Sequence, residues 1–208
     1  MRVLVIYASS RGGTEGLAHM VAEGFVGHGI DTDIGAANAV DEIEGYDAIV
    51  VGGALYNNKW HEDATWFVER HLDTLRAKNV WFFSSGPLDT SASAGALAPV
   101  AQVQALARRT DIRGHMTFGG VLEPKSTGFF SSLLSWGKPG DYRDPHQVTE
   151  WVDRLAALVG QPRNTIVLPD TENDAKVPTR VLRRLVAAGT DEDDATEDLG
   201  LDVLMTES

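Results

Sequence analysis

The 208-residue sequence contains no cysteine. That excludes disulfides, thiolate metal sites, iron–sulfur clusters and a cysteine nucleophile, and it fits an intracellular, cytoplasmic protein. Long apolar runs are missing too: none approaches the roughly 18–20 residues that span a bilayer. No basic stretch and small-residue cleavage pattern flank the first apolar residues, so no signal peptide is expected. Positive charge is scarce. The 18 Lys and Arg stand against 30 Asp and Glu, a formal charge of −12. A chain this acidic repels a phosphate backbone, so nucleic acid is not an expected partner. The motif G-x-S-x-G does not occur, and no strand-end carboxylate–histidine pair suited to hydrolysis is visible.

Strand-like and helix-like patterns alternate along what is present. Apolar runs at Val3–Tyr7, Ile30–Ile34, Ala48–Gly52, Val80–Ser84 and Met116–Val121 read as strands. Helical periodicity falls at about Gly13–His28, Glu62–Leu75, Ala98–Arg109 and His146–Val159. The third strand is apolar on both faces, as a parallel strand covered by helices on each side must be. This alternation implies an α/β domain, a doubly wound parallel sheet with right-handed crossovers, over residues 1–160. Residues 122–145 are too long for a plain connection and form an insertion. Residues 161–208 form an acidic extension with a short helix. Six acids in the eight residues Asp191–Asp198 repel one another, so most of it is expected to be disordered.

The first strand runs straight into YASSRGGT, residues 7–14. In a doubly wound sheet this turn lies at the carboxyl ends of the strands, where ligands bind. The first N–H groups of the helix point into it. Gly12 and Gly13 permit close backbone approach, and Ser9, Ser10 and Thr14 add hydroxyl donors. Together they make a nest for a phosphate dianion without a metal. The competing reading has the serines cap the helix while the glycines form a tight turn. Two other ligand classes fit poorly. A dinucleotide site wants G-x-G-x-x-G here and an acid after the second strand, but the glycines are adjacent and that strand ends IGAANA. A phosphate-accepting receiver domain needs carboxylates where Ala8-Ser9 and Gly53-Ala54 stand.

With these residues in view, the chain resembles the flavodoxin-like family over residues 1 to about 160. Within it, the chain is most similar to proteins of the menaquinone-dependent protoporphyrinogen IX dehydrogenase type. The resemblance rests on YASSRGGTEGLA, GGALYNNKWHEDATWFVERH, WFFSSGPLD and FGGVLEP…GDYRD in that order. It implies a five-stranded sheet of order 2-1-3-4-5 and FMN as cofactor. Carried over, Ser9, Ser10, Arg11, Gly12, Gly13 and Thr14 hold the FMN phosphate. Gly53, Ala54, Leu55, Tyr56 and Asn57 line one side of the isoalloxazine ring, and Ser84, Ser85, Gly86 and Pro87 the other. Arg11 departs from electron-carrier flavodoxins, whose phosphate loop is usually uncharged.

The ring needs an aromatic face. Tyr56 offers one, worth about 0.5–1.5 kcal/mol beyond area burial. Trp60 offers another, unless it packs on the helix that follows. His61 is read as the start of that helix. No side chain is assigned as a catalytic acid or base, because the chemistry of such a protein belongs to the flavin.

In the insertion, Phe129, Phe130, Leu133, Leu134 and Trp136 lie near one face of a short helix. It is either ordinary edge packing or a surface over the flavin for a flat apolar substrate, a quinone or a membrane. The bases flanking this run are Lys125 and Lys138, fewer than the enzymes of that type carry. The resemblance thus implies an FMN-dependent oxidoreductase with a porphyrin-type substrate and a quinone or redox-protein electron partner. The alternatives are an electron carrier without its own substrate and a module that binds some other phosphate.

Overall fold

The computed structural model describes residues 1–95, 97–122 and 140–162. The apolar runs form five parallel strands: β1 (Arg2–Ala8), β2 (Asp31–Ala36), β3 (Ala48–Tyr56), β5 (Asn79–Ser85) and β6 (Gly114–Phe118). Their spatial order is β2-β1-β3-β5-β6, each parallel strand beside the neighbour that order 2-1-3-4-5 requires. The sheet differs from the expectation by a sixth strand. A short β4 (Lys59–Trp60) folds back antiparallel on the end of β3.

The cause is local. Asn57 and Asn58 both have positive φ, 50° and 58°. A two-residue turn of that kind matches the twist of the paired strands, and Asn tolerates the left-handed region well.

Period-two alternation sorts the strand residues into two cores. Val3, Val5, Val50, Trp81 and Phe83 face α1 (Gly13–Gly27) and α6 (Pro145–Val159). Leu4, Ile6, Ile49, Val51 and Phe82 face α2 (Glu62–Arg70), α3 (Leu72–Arg76) and α5 (Ala101–Thr110). Phe83, Phe118 and Trp151 meet edge-on, with centroids 5.4–6.1 Å apart. Between β5 and α5 lies one more turn of helix, α4 (Ser91–Ala94).

Several boundaries depart from the sequence reading, among them β3, which runs on from Gly52 to Tyr56. The helix expected over Glu62–Leu75 breaks at His71, which leaves helical dihedrals (φ −103°, ψ 17°) and buries its ring against Phe67 at 4.7 Å. The helix expected from Ala98, α5, starts at Ala101, because Pro99 disfavours helical backbone at Ala98 and Val100 is extended. The last sheet strand stops at Phe118. Gly119 and Gly120 then turn the chain, so that Gly120 N–H donates to Pro87 O (2.9 Å) and Gly120 O accepts from Tyr142 N–H (3.0 Å). A two-stranded antiparallel stem follows, β7 (Val121–Leu122) with β8 (Gly140–Asp141). The apolar helix expected in the insertion and the acidic extension lie outside the described residues. Among the described residues no helix is long and apolar enough to cross a membrane.

Candidate functional site

Register aligns the carboxyl ends of the central strands: Ala8 pairs with Gly53, and Ala54 with Ser85. The three expected ligand loops therefore emerge side by side, as the strand order requires.

The first loop departs from one part of the sequence reading. The residue capping α1 is Gly12, with φ 78° and no side-chain cap bond, so neither serine caps the helix. Gly12 is exposed, and a Cβ there would meet nothing within 4 Å. Its glycine serves the left-handed backbone. Thr14 lies in the first turn, 1% exposed, and its Oγ1 has no hydrogen-bond partner. A buried unmet hydroxyl costs about 1–3 kcal/mol. Around it Ser9 is half-buried, Ser10 and Arg11 are exposed, and Gly13 packs on Val121 of the β7–β8 stem. The one acid of the first turn, Glu15, accepts from the Tyr7 hydroxyl at 3.1 Å. Burial and then that bond push the Tyr7 pKa up.

The second loop is shaped from within. A Cβ on Gly53 would fall 2.5–2.7 Å from the Trp60 indole, so that glycine admits Trp60. Trp60 itself is buried, 5.1 Å from Phe82, which decides its role for the core. Ala54 is buried, Leu55 and Tyr56 are half-buried, and Asn57 is exposed in the β3–β4 turn. Leu55 packs against Gly86, where a Cβ would meet it at 2.9 Å, joining the second loop to the third. In the third loop Ser84 is fully buried and bonded to His115 at 2.9 Å, Ser85 is buried, and Gly86 and Pro87 are half-buried.

Sequence reasoning missed one bridge. His61 caps α2: its Nδ1 accepts from Asp63 N–H at 3.2 Å. Its Nε2 lies 2.9 Å from Ser10 Oγ in the first loop. The cap was legible from the His-Glu-Asp start of the helix, but no local signal marks a partner 51 residues away. Also missed were Gly120 and Tyr142, which fix the third loop from the stem side, and Arg143. The Arg143 guanidinium grips Asp141 through two bonds, 2.9 and 2.6 Å, which hold the Asp141 carboxyl below its usual range, and it lies over Gly16 of α1. Among the described residues, no group of three or more His, Asp or Glu could hold a metal ion.

Known proteins bear on this geometry. Residues 4–134 match the family model described as Flavodoxin domain. No curated protein sequence matches the chain. Among solved structures, flavodoxin 2 of Bacillus cereus is 17% identical with a TM-score of 0.53, covering 76% of this chain and 99% of that one. A flavodoxin mutant of Pseudomonas aeruginosa is 15% identical with a TM-score of 0.51, covering 76% and 97%. The rubredoxin:oxygen oxidoreductase of Desulfovibrio gigas is 15% identical with a TM-score of 0.54. It matches over 76% of this chain, which spans only 36% of that longer protein. These identities establish the fold, and the family model establishes the relationship. The chain belongs to the flavodoxin-domain family, whose cofactor is FMN.

Proposed function

We propose that the chain is an FMN-dependent oxidoreductase of the protoporphyrinogen IX dehydrogenase type. Its first loop holds the phosphate, and its second and third loops flank the ring. The observation that carries the cofactor site is the Thr14 hydroxyl, buried without a partner in the first turn of α1. In this reading it donates to a phosphate oxygen, beside the first N–H groups of the helix and the Ser9 and Ser10 hydroxyls. Arg11 stands exposed in the same loop, free to neutralise part of the dianion. Tyr56 and Leu55 supply the apolar wall beside the ring, and Gly86 and Pro87 supply its edge. When bound, FMN supplies the redox chemistry, and the protein orients it and excludes water. The stem β7–β8 lies against the first helix turn, where a Cβ built on Gly13 would fall 3.5 Å from Val121 Cβ, so the insertion is rooted beside the site. That position supports a substrate or a quinone meeting the flavin there.

A second reading, an electron carrier without its own substrate, is favoured by the flavodoxins that share the fold over nearly their whole length. Denaturing the purified protein and quantifying released flavin tests the cofactor: about one FMN per chain is expected, and none would end the proposal. Oxidation of protoporphyrinogen IX coupled to quinone reduction separates the two readings. Its absence from flavin-replete protein leaves the carrier.

A further inference from the structure

We infer that His61 is a positioning residue for the phosphate end of the flavin, because it donates to Ser10 Oγ and thereby frees the Ser10 hydrogen for a phosphate oxygen. The inference rests on the FMN reading of the first loop.

The ring is held from three directions. Its own backbone N–H donates to Ala54 O at 2.8 Å, in the second loop. Its Nδ1 accepts from Asp63 N–H at 3.2 Å, and its Nε2 sits 2.9 Å from Ser10 Oγ. The side chain is only 14% exposed. A neutral imidazole has one N–H, and the nitrogen that accepts cannot carry it. With Nδ1 accepting, the hydrogen is on Nε2. The Asp63 carboxylate lies 3.8 Å from Nδ1. That carboxylate is itself bonded by Asn38 at 3.3 Å, and the other ring beside His61 is Tyr56, 6.2 Å away. The Nε2–H therefore points at Ser10.

A serine hydroxyl has one hydrogen and two lone pairs. With a lone pair taken by His61, the Ser10 hydrogen must seek an acceptor elsewhere, and Ser10 is exposed in the loop that carries Gly12 and Thr14. An anion there meets a donor already turned toward it. The same contact ties the phosphate loop to the loop beside the ring, so both ends of the flavin site share one side chain.

His61→Asn separates this role from capping. Asparagine is a strong cap whose side-chain oxygen can still accept from Asp63 N–H, but it is too short to span the distance to Ser10. The full-length protein, stripped of flavin, is titrated with FMN and with riboflavin, which lacks the phosphate. Expected for His61→Asn is about tenfold weaker FMN, the size of one hydrogen bond, with riboflavin unchanged. Ser10→Ala is expected to weaken FMN by a similar factor, and the double variant to be no worse than Ser10→Ala alone. Equal losses for both flavins, unchanged FMN binding, or additive losses would overturn the role of His61. If His61→Asn melts well below the wild type, His61→Ser, a strong cap that is also too short to reach Ser10, replaces it in the same cycle, and the same results support or overturn the role. A wild-type protein that binds riboflavin as tightly as FMN would instead show that the phosphate reading itself is wrong, and the role of His61 would fall with it.

Discussion

His115 Nε2, on β6, lies 2.9 Å from Ser84 Oγ on β5, and His115 Nδ1 is buried without a partner. Nothing there stabilises a charged ring. Burial lowers the His115 pKa from 6.5 to about 4. The folded pKa therefore lies below the unfolded one. Between those values the unfolded chain takes up a proton that the native chain refuses, so stability is full above about pH 6.5 and falls toward pH 4. The loss amounts to at most about 3 kcal/mol, given 1.36 kcal/mol per pKa unit. Burial lowers the pKa of His71 as well, which adds to the slope in the same direction. Urea unfolding at pH 7, 5 and 4 is expected to show a shallower acid loss in His115→Gln than in the wild type. Parallel losses would show that His115 does not titrate as its burial requires.

Removing the Thr14 hydroxyl is expected to move two quantities in opposite directions. Thr14→Val keeps the shape and deletes a buried oxygen that has no partner, so the flavin-free protein melts at the same temperature or higher. FMN, deprived of that donor, binds roughly 5- to 150-fold more weakly, the equivalent of about 1–3 kcal/mol. Unchanged FMN affinity with a lowered melting temperature would make Thr14 a structural residue only.

Two glycines of the site are expected to fail for different reasons. At Gly53 the backbone is ordinary, but a methyl would sit 2.5 Å from the Trp60 Nε1 and force the indole off Phe82. Overpacking of that kind costs about 1–3 kcal/mol. At Gly12 a methyl meets open space, and the cost of Gly12→Ala is the left-handed backbone alone, about 1–2 kcal/mol. Melting of the flavin-free variants measures both. Adding Trp60→Phe, which removes part of the obstructing ring, is expected to recover some of the Gly53→Ala loss and none of the Gly12→Ala loss. Equal recovery in the two would refute the contact with Trp60.

The sheet was legible because parallel strands buried on both faces are written as continuous apolar runs. Seven successive residues of β3, Ala48–Ala54, are buried, and each of them is apolar or glycine. The turn into α1 was legible for a similar reason: its left-handed cap calls for a residue without a Cβ, and Gly12 stands there. What the sequence did not show depends on register. Gly53 admits Trp60, Leu55 covers Gly86, and Ser10 meets His61 only after strands and turns have set their positions. Trp60 could not be assigned to ring or core from its neighbours, because an aromatic residue suits either. The break at His71 was hidden for another reason. The backbone bonds on both sides of it, His71 N–H to Phe67 O and Leu75 N–H to His71 O, follow helical spacing.

The Asn57–Asn58 turn yields the last prediction. Both residues hold left-handed backbone, where glycine is at no disadvantage and a β-branched residue is strained. The turn pairs Tyr56 with Lys59 and Leu55 with Trp60, so it sets where Tyr56 lies beside the second loop. Asn58→Gly is expected to leave stability within about 0.5 kcal/mol of the wild type, since the Asn-Gly pair suits this turn better than Asn-Asn while glycine adds entropy to the unfolded chain. Asn58→Val must either strain the backbone by about 1–2 kcal/mol or open the turn. Opening it releases β4 and with it Tyr56, so FMN binding weakens along with the melting temperature. The two variants bracket the turn: if valine proves as harmless as glycine to both readouts, the hairpin does not hold the left-handed pair on which the placement of Tyr56 depends.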